Sequence, residues 1–149
     1  NHVYHQDYII AKEERISTHF VTGAASPLAD KKNLRIEDII EYPFILTEKK
    51  VGYRRLFDEA LAKMSYELQP VLEIGRTDII TSALEHGKSI SFLPDFVTNR
   101  MVSEGKLVYL DVADFEVDIW KQLIYHRNKW ISRHFHAFIQ YVMEHEFDS

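Results

Sequence analysis

The chain has 149 residues, 46% hydrophobic, 13% aromatic and 28% charged, with a formal net charge of −5 and a sequence pI near 5.9. That length allows a buried core in one domain or two small lobes, and the acidic balance argues against direct wrapping of nucleic acid, which needs clustered Lys and Arg. The chain contains no cysteine, which excludes disulfides, thiolate metal ligands and a Cys nucleophile and sits easily in a reducing cytosol.

The start, Asn1-His2-Val3-Tyr4-His5-Gln6-Asp7, lacks the basic and apolar regions of a secretory signal. No run approaches the roughly 18 apolar residues of a membrane helix. Ile16 to Val21 has strand composition and ends at the turn-forming cluster Thr22-Gly23-Ala24-Ala25-Ser26-Pro27. A short helix is predicted over Arg35 to Glu41, followed by a buried strand over Pro43-Phe44-Ile45-Leu46. The clearest helix runs from about Tyr53 to Tyr66, where Tyr53, Leu56, Phe57, Ala60, Leu61 and Met64 form one apolar stripe.

Pro70 to Gly75 reads as a strand, and Arg76 or Thr77 as the cap of a helix reaching Leu84 and ended by Gly87. Ser89 to Leu93 reads as a strand closed by Pro94, and Asp95 as the cap of a helix to about Ser103, ended by Gly105. Leu107 to Val112 and Ile119 to His126 are predicted strands. The last helix should bury Ile131, Phe135, Phe138, Ile139, Val142 and Met143. This alternation implies an α/β fold with a largely parallel sheet. Ligands of such sheets settle beyond strand carboxyl ends, near helix N-termini. Leu46-Thr47-Glu48 and Gly75-Arg76-Thr77-Asp78 are the two junctions of that kind.

Catalytic and metal motifs are wanting. Gly87-Lys88-Ser89 is not a phosphate loop, because Ser82 stands where that motif needs glycine and a strand, not a helix, follows. Ser82, Ser89 and Ser91 lack a nucleophile elbow, and Glu13-Glu14 and Glu37-Asp38 are sequential neighbours more consistent with solvated faces. His134 and His136 fall two apart on a helix and point apart, and His2 and His5 lie at the terminus. No metal, cofactor or enzymatic activity is expected.

Ser26-Pro27-Leu28-Ala29, Leu34-Arg35-Ile36-Glu37-Asp38-Ile39, Tyr42-Pro43-Phe44-Ile45, Tyr53-Arg54-Arg55-Leu56-Phe57, Leu72-Glu73-Ile74-Gly75, Gly87-Lys88-Ser89-Ile90-Ser91-Phe92-Leu93-Pro94 and Gly105-Lys106-Leu107-Val108 follow in order over residues 16 to 110. Together they resemble the effector-binding domain of LysR-type transcriptional regulators. Ser26 and Ser89 depart from that family's usual His and Gly. The resemblance implies a type II periplasmic-binding-protein-like fold of two Rossmann-like lobes, one of them incomplete. The far lobe would cover about 23–114, and a remnant of the near lobe 1–22 and 115–149.

By the same resemblance, a small anionic effector would bind in an interlobe cleft, change the lobes' relative angle and so control DNA binding. DNA would be touched only through a separate helix-turn-helix domain. Thr47, Gly75, Arg76 and Thr77 are the implied effector contacts, with Phe92 and Pro94 as cleft walls. The parent protein would be cytoplasmic and associate as a dimer or tetramer, partly through the Tyr53–Tyr66 helix. The alternative is a solute-binding protein of the same fold serving a transporter.

Overall fold

The computed structural model describes residues 8–126 and 133–146, whose contacts divide into two compact units. One comprises Asn1–Ile16 and Trp120–Ser149, the other Ser17–Ile119. The smaller contains β1 (Tyr8–Arg15) and β7 (Trp120–His126), which pair antiparallel from Tyr8 opposite His126 to Arg15 opposite Trp120. The register slips between Ile10 and Lys12. Its helix α5 (Arg133–Glu146) buries Ile139 but leaves Phe138 59% exposed, contrary to the expected buried stripe. Ile131 and the Phe135 side chain lie outside the described residues.

The larger unit holds β2 (Thr18–Gly23), α1 (Ile36–Ile39), β3 (Ile45–Leu46), α2 (Gly52–Lys63) and β4 (Leu72–Glu73). They are followed by α3 (Thr77–Glu85), β5 (Ile90–Pro94), α4 (Asp95–Ser103) and β6 (Leu107–Leu110). β2 lies between β5 and β6, antiparallel to both, while β3 and β4 are parallel. A parallel bridge from Phe44 to Ile90 carries the sheet from β5 to β3. The order is therefore β4-β3-β5-β2-β6. The sheet is thus less parallel than the alternation implied. Periodicity does not encode strand direction, and β2 enters reversed. Its pairing with β5 and β6 holds Thr18–Gly23 in this unit.

Alternation along the strands sorts the core onto two faces. On one, Phe20, Phe44, Phe57, Phe92 and Phe115 form a five-ring cluster, with Phe57 stacked on Phe92 at 4.7 Å. On the other, Val21, Ile45, Leu93 and Leu107 pack with Ile80 and Leu84 of α3 and with Val97 and Met101 of α4. A sheet covered on both faces explains why its strands read as near-continuous apolar runs. Gly23 is required by close approach, since a Cβ there would collide with the Leu84 carbonyl oxygen. Gly105 ends α4 as expected, with φ +75°. Gly87 lies just past α3 but does not adopt a positive φ.

Candidate functional site at the carboxyl edge of the sheet

The carboxyl ends of β3, β4 and β5 lie on one edge of the larger unit's sheet, and α2, α3 and α4 start from it. None of these three helices has a side-chain hydrogen bond capping its N-terminus. The first amide of α4, on Asp95, donates to the Ser17 carbonyl at 2.9 Å, and the Asp78 carboxylate accepts from the Asp78 and Ile79 amides of α3, while the helix dipoles favour negative charge at these ends. Asp95, expected to cap α4, is instead its first residue. Its carboxylate binds His19 Nδ1 at 2.7 Å, and the His19 ring stacks on Tyr109 at 4.4 Å.

Thr47 follows β3 directly. It is 3% exposed, and its Oγ1 makes no close hydrogen bond among the described residues, with the Tyr53 phenol within weaker hydrogen-bonding reach. Burial pushes the nearby Tyr53 phenol above its usual range, and the Thr47 hydroxyl partly offsets that rise. Buried hydroxyls are seldom left unpaired. Next to Thr47, Ile74 donates its amide to the Leu46 carbonyl at 3.1 Å, so the turn after β4 lies alongside the end of β3. A Cβ on Gly75 would stand 3.1 Å from the Glu48 carboxylate, whose other oxygen pairs with Lys50 at 3.1 Å.

Arg76 precedes α3, and its guanidinium meets Asp78 at 2.6 Å, both side chains being about two-thirds exposed. This pair holds the Asp78 carboxyl below its usual range. Thr77 is the first helical residue and is partly buried. Phe92 is 4% exposed within the ring cluster, and Pro94 is buried where β5 passes into α4. The structure therefore brings Thr47, Gly75, Arg76 and Thr77 together at the ends of β3 and β4. Phe92 lies one strand residue inside the edge and Pro94 at the end of β5.

Sequence reading missed Arg54. It is 2% exposed, and its Nε meets both Asp58 oxygens at 3.1 Å. Its Nη1 donates to the Thr47 carbonyl at 2.5 Å and its Nη2 to Glu73 at 3.3 Å. The signal was present: Arg54, Phe57 and Leu61 are the buried residues of α2, spaced as one helical stripe, with Asp58 four residues on. A cavity of about 330 Å³ beside α2, bordered by Lys49, Arg54, Asp58, Tyr66 and Glu73, does not include Thr47, Gly75 or Thr77. Among the described residues no group of three or more His, Asp or Glu side chains could hold a metal ion. No described helix is long and apolar enough to cross a membrane.

Residues 9–146 match the family model of the LysR substrate binding domain. The chain belongs to that family. Among its relatives, the HTH-type transcriptional activator CmpR of Synechocystis is 26% identical over 126 residues, covering 85% of this chain and 41% of CmpR. The chain thus spans less than half of that regulator. In fold it is similar to the effector-binding domain of QuiR in complex with shikimate, with a TM-score of 0.78 at 17% identity over 96% of this chain and 68% of that one. It is also similar to the regulatory domain of Synechocystis CcmR in complex with 2-PG, with a TM-score of 0.71 at 24% identity over 92% of this chain and 65% of that one. The LysR match separates the chain from solute-binding proteins of transporters that share the type II periplasmic-binding-protein-like architecture.

Proposed function

We propose that this chain is the effector-sensing part of a cytoplasmic LysR-type transcriptional regulator, and that a small anionic effector binds at the carboxyl edge of the larger unit's sheet. DNA is bound by a separate domain of the same regulator, which acts as a dimer or tetramer and catalyses no reaction. The observation that carries this reading is the buried Thr47 hydroxyl, without a close hydrogen bond among the described residues, beside the turn that leads from β4 into α3. An unpaired buried hydroxyl costs about 1–3 kcal/mol, which an effector oxygen would relieve. Amides of the Gly75-Arg76-Thr77 turn then meet the anion, with Arg76 as a rim charge. Phe92 holds the edge from below through its ring contacts, and Pro94 closes it at β5. The complexes of QuiR with shikimate and CcmR with 2-PG support a small-molecule effector.

Binding alone switches nothing. The effector must bind one arrangement of the regulator better than another, and that difference in affinity is what reaches the DNA-binding part. The test is a thermal-shift screen of the full regulator against a metabolite panel that includes shikimate and 2-PG, alongside Thr47→Ala, Arg76→Ala and Thr77→Ala. A ligand at a hundredfold its Kd adds about 2.7 kcal/mol of stability. An anionic hit weakened by the Thr47 and Thr77 changes is expected. A response to neutral compounds alone, or a hit indifferent to all three changes, removes this site.

A further inference from the structure

We propose that Arg54 is a positioning residue for effector binding: its buried guanidinium presets the Thr47 hydroxyl by gripping the Thr47 carbonyl from inside the fold. The inference rests on the effector site proposed above. Three directions of one planar group meet three elements: Nε binds Asp58 within α2, Nη1 the carbonyl at the end of β3, and Nη2 Glu73 on β4. The two strand ends that present Thr47 and the Gly75-Arg76-Thr77 turn are therefore spaced by one rigid side chain. Lysine has a single flexible ammonium and cannot make this fork.

The asymmetry within Thr47 is informative. Its carbonyl is held by a charge-assisted bond, the stronger kind, while its hydroxyl has no close hydrogen bond among the described residues and only the Tyr53 phenol within weaker reach. A residue needed only to join β3 to α2 gains nothing from an unpaired hydroxyl. A binding group gains from being fixed before the ligand arrives, because less ordering remains to oppose binding. Burying a guanidinium at 2% exposure for one carbonyl and two carboxylates that are each about a third exposed is otherwise a weak source of stability.

The experiment uses this chain with its Thr methyl groups labelled for NMR, comparing wild type, Arg54→Lys, Asp58→Ala and Thr47→Ala. In the ligand-free protein, Arg54→Lys is expected to shift or broaden the Thr47 methyl resonance while the Thr98 methyl, on α4, stays in place. Asp58→Ala, which releases Nε alone, should move the same resonance less, and it carries the test if Arg54→Lys does not fold. With shikimate and 2-PG as probes, Arg54→Lys should weaken binding about tenfold, the scale of one hydrogen bond to a charged group. Adding Thr47→Ala should then cost nothing further. A Thr47 methyl unmoved in the folded variants overturns the proposal, as does equal probe affinity in wild type and Arg54→Lys. Failure of both probes to bind wild type counts against the effector site and leaves the methyl result to decide the role of Arg54.

Discussion

Truncating Phe92 tests whether the ring cluster holds up the effector edge. Phe92 is 4% exposed, stacked on Phe57 at 4.7 Å and edge-on to Phe20 at 5.1 Å and Phe115 at 5.6 Å. An aromatic side chain buries about 150–250 Å², which at about 25 cal/mol per Å² is worth roughly 4–6 kcal/mol. The alanine methyl retains about 0.8 kcal/mol of that, and partial collapse of the cavity recovers a little more. Phe92→Ala should therefore cost about 4 kcal/mol, inside the 3–5 kcal/mol range for such changes. With a urea m-value near 2 kcal/mol per M, the unfolding midpoint falls by about 2 M. Urea unfolding followed by circular dichroism measures it. A loss below about 1.5 kcal/mol would refute the reasoning, because it would mean that Phe92 is not packed by its three ring partners.

Three further outcomes follow from single observations. Ser91 is fully buried on β5, with no partner for its hydroxyl among the described residues, so Ser91→Ala should raise stability by about 1 kcal/mol in the same urea assay; a loss of that size would show that the hydroxyl is satisfied. Gly23→Ala should cost about 3 kcal/mol, because the obstacle to its Cβ is the backbone oxygen of Leu84 and not a side chain that can swing away. The Asp78 carboxyl is held low by Arg76, so their pairing is present above the ordinary carboxylate range and is lost as pH falls through the folded pKa. Arg76→Ala should move the Asp78 titration upward in a carboxyl NMR experiment, and an unchanged midpoint would discard the pair.

How much of this was legible depended on which physical signal each element carries. Helix α2 announced itself by apolar spacing, α3 and α4 by glycines just beyond them, and β3, β5 and β6 by short apolar runs. β1 did not, because Tyr-Ile-Ile-Ala-Lys-Glu-Glu-Arg mixes an apolar start with a charged end and fits no single period. The reversed direction of β2 was hidden for a different reason: a strand buried on both faces reads the same either way. Thr47, Gly75, Arg76 and Thr77 could be picked out because strand-to-helix junctions are visible in sequence. Arg54 showed only in part, through its place on the α2 stripe and Asp58 four residues on, while its bonds to Thr47 and Glu73, like the His19–Asp95 pair, depend on partners that only the fold brings near.

The location of charge at the edge bears on how an anion would be recognised there. Arg76 is the obvious cation, yet it is mostly exposed and already committed to Asp78. Exposed pairs of this kind contribute little and weaken further with salt. The α3 amides are fixed by the helix and cost no reorganisation, but the Asp78 carboxylate already accepts from the Asp78 and Ile79 amides, so an anion there has to displace or share it. Thr47 stands near the turn into α3 with its carbonyl clamped by Arg54 and its hydroxyl without a close hydrogen bond among the described residues. Recognition built on fixed amides and one preset hydroxyl should weaken less steeply with salt than recognition through the exposed Arg76, because partly buried groups are screened less. The salt dependence of effector affinity therefore distinguishes the two without any substitution, and a steep loss between 50 and 500 mM salt would assign the anion to Arg76 instead.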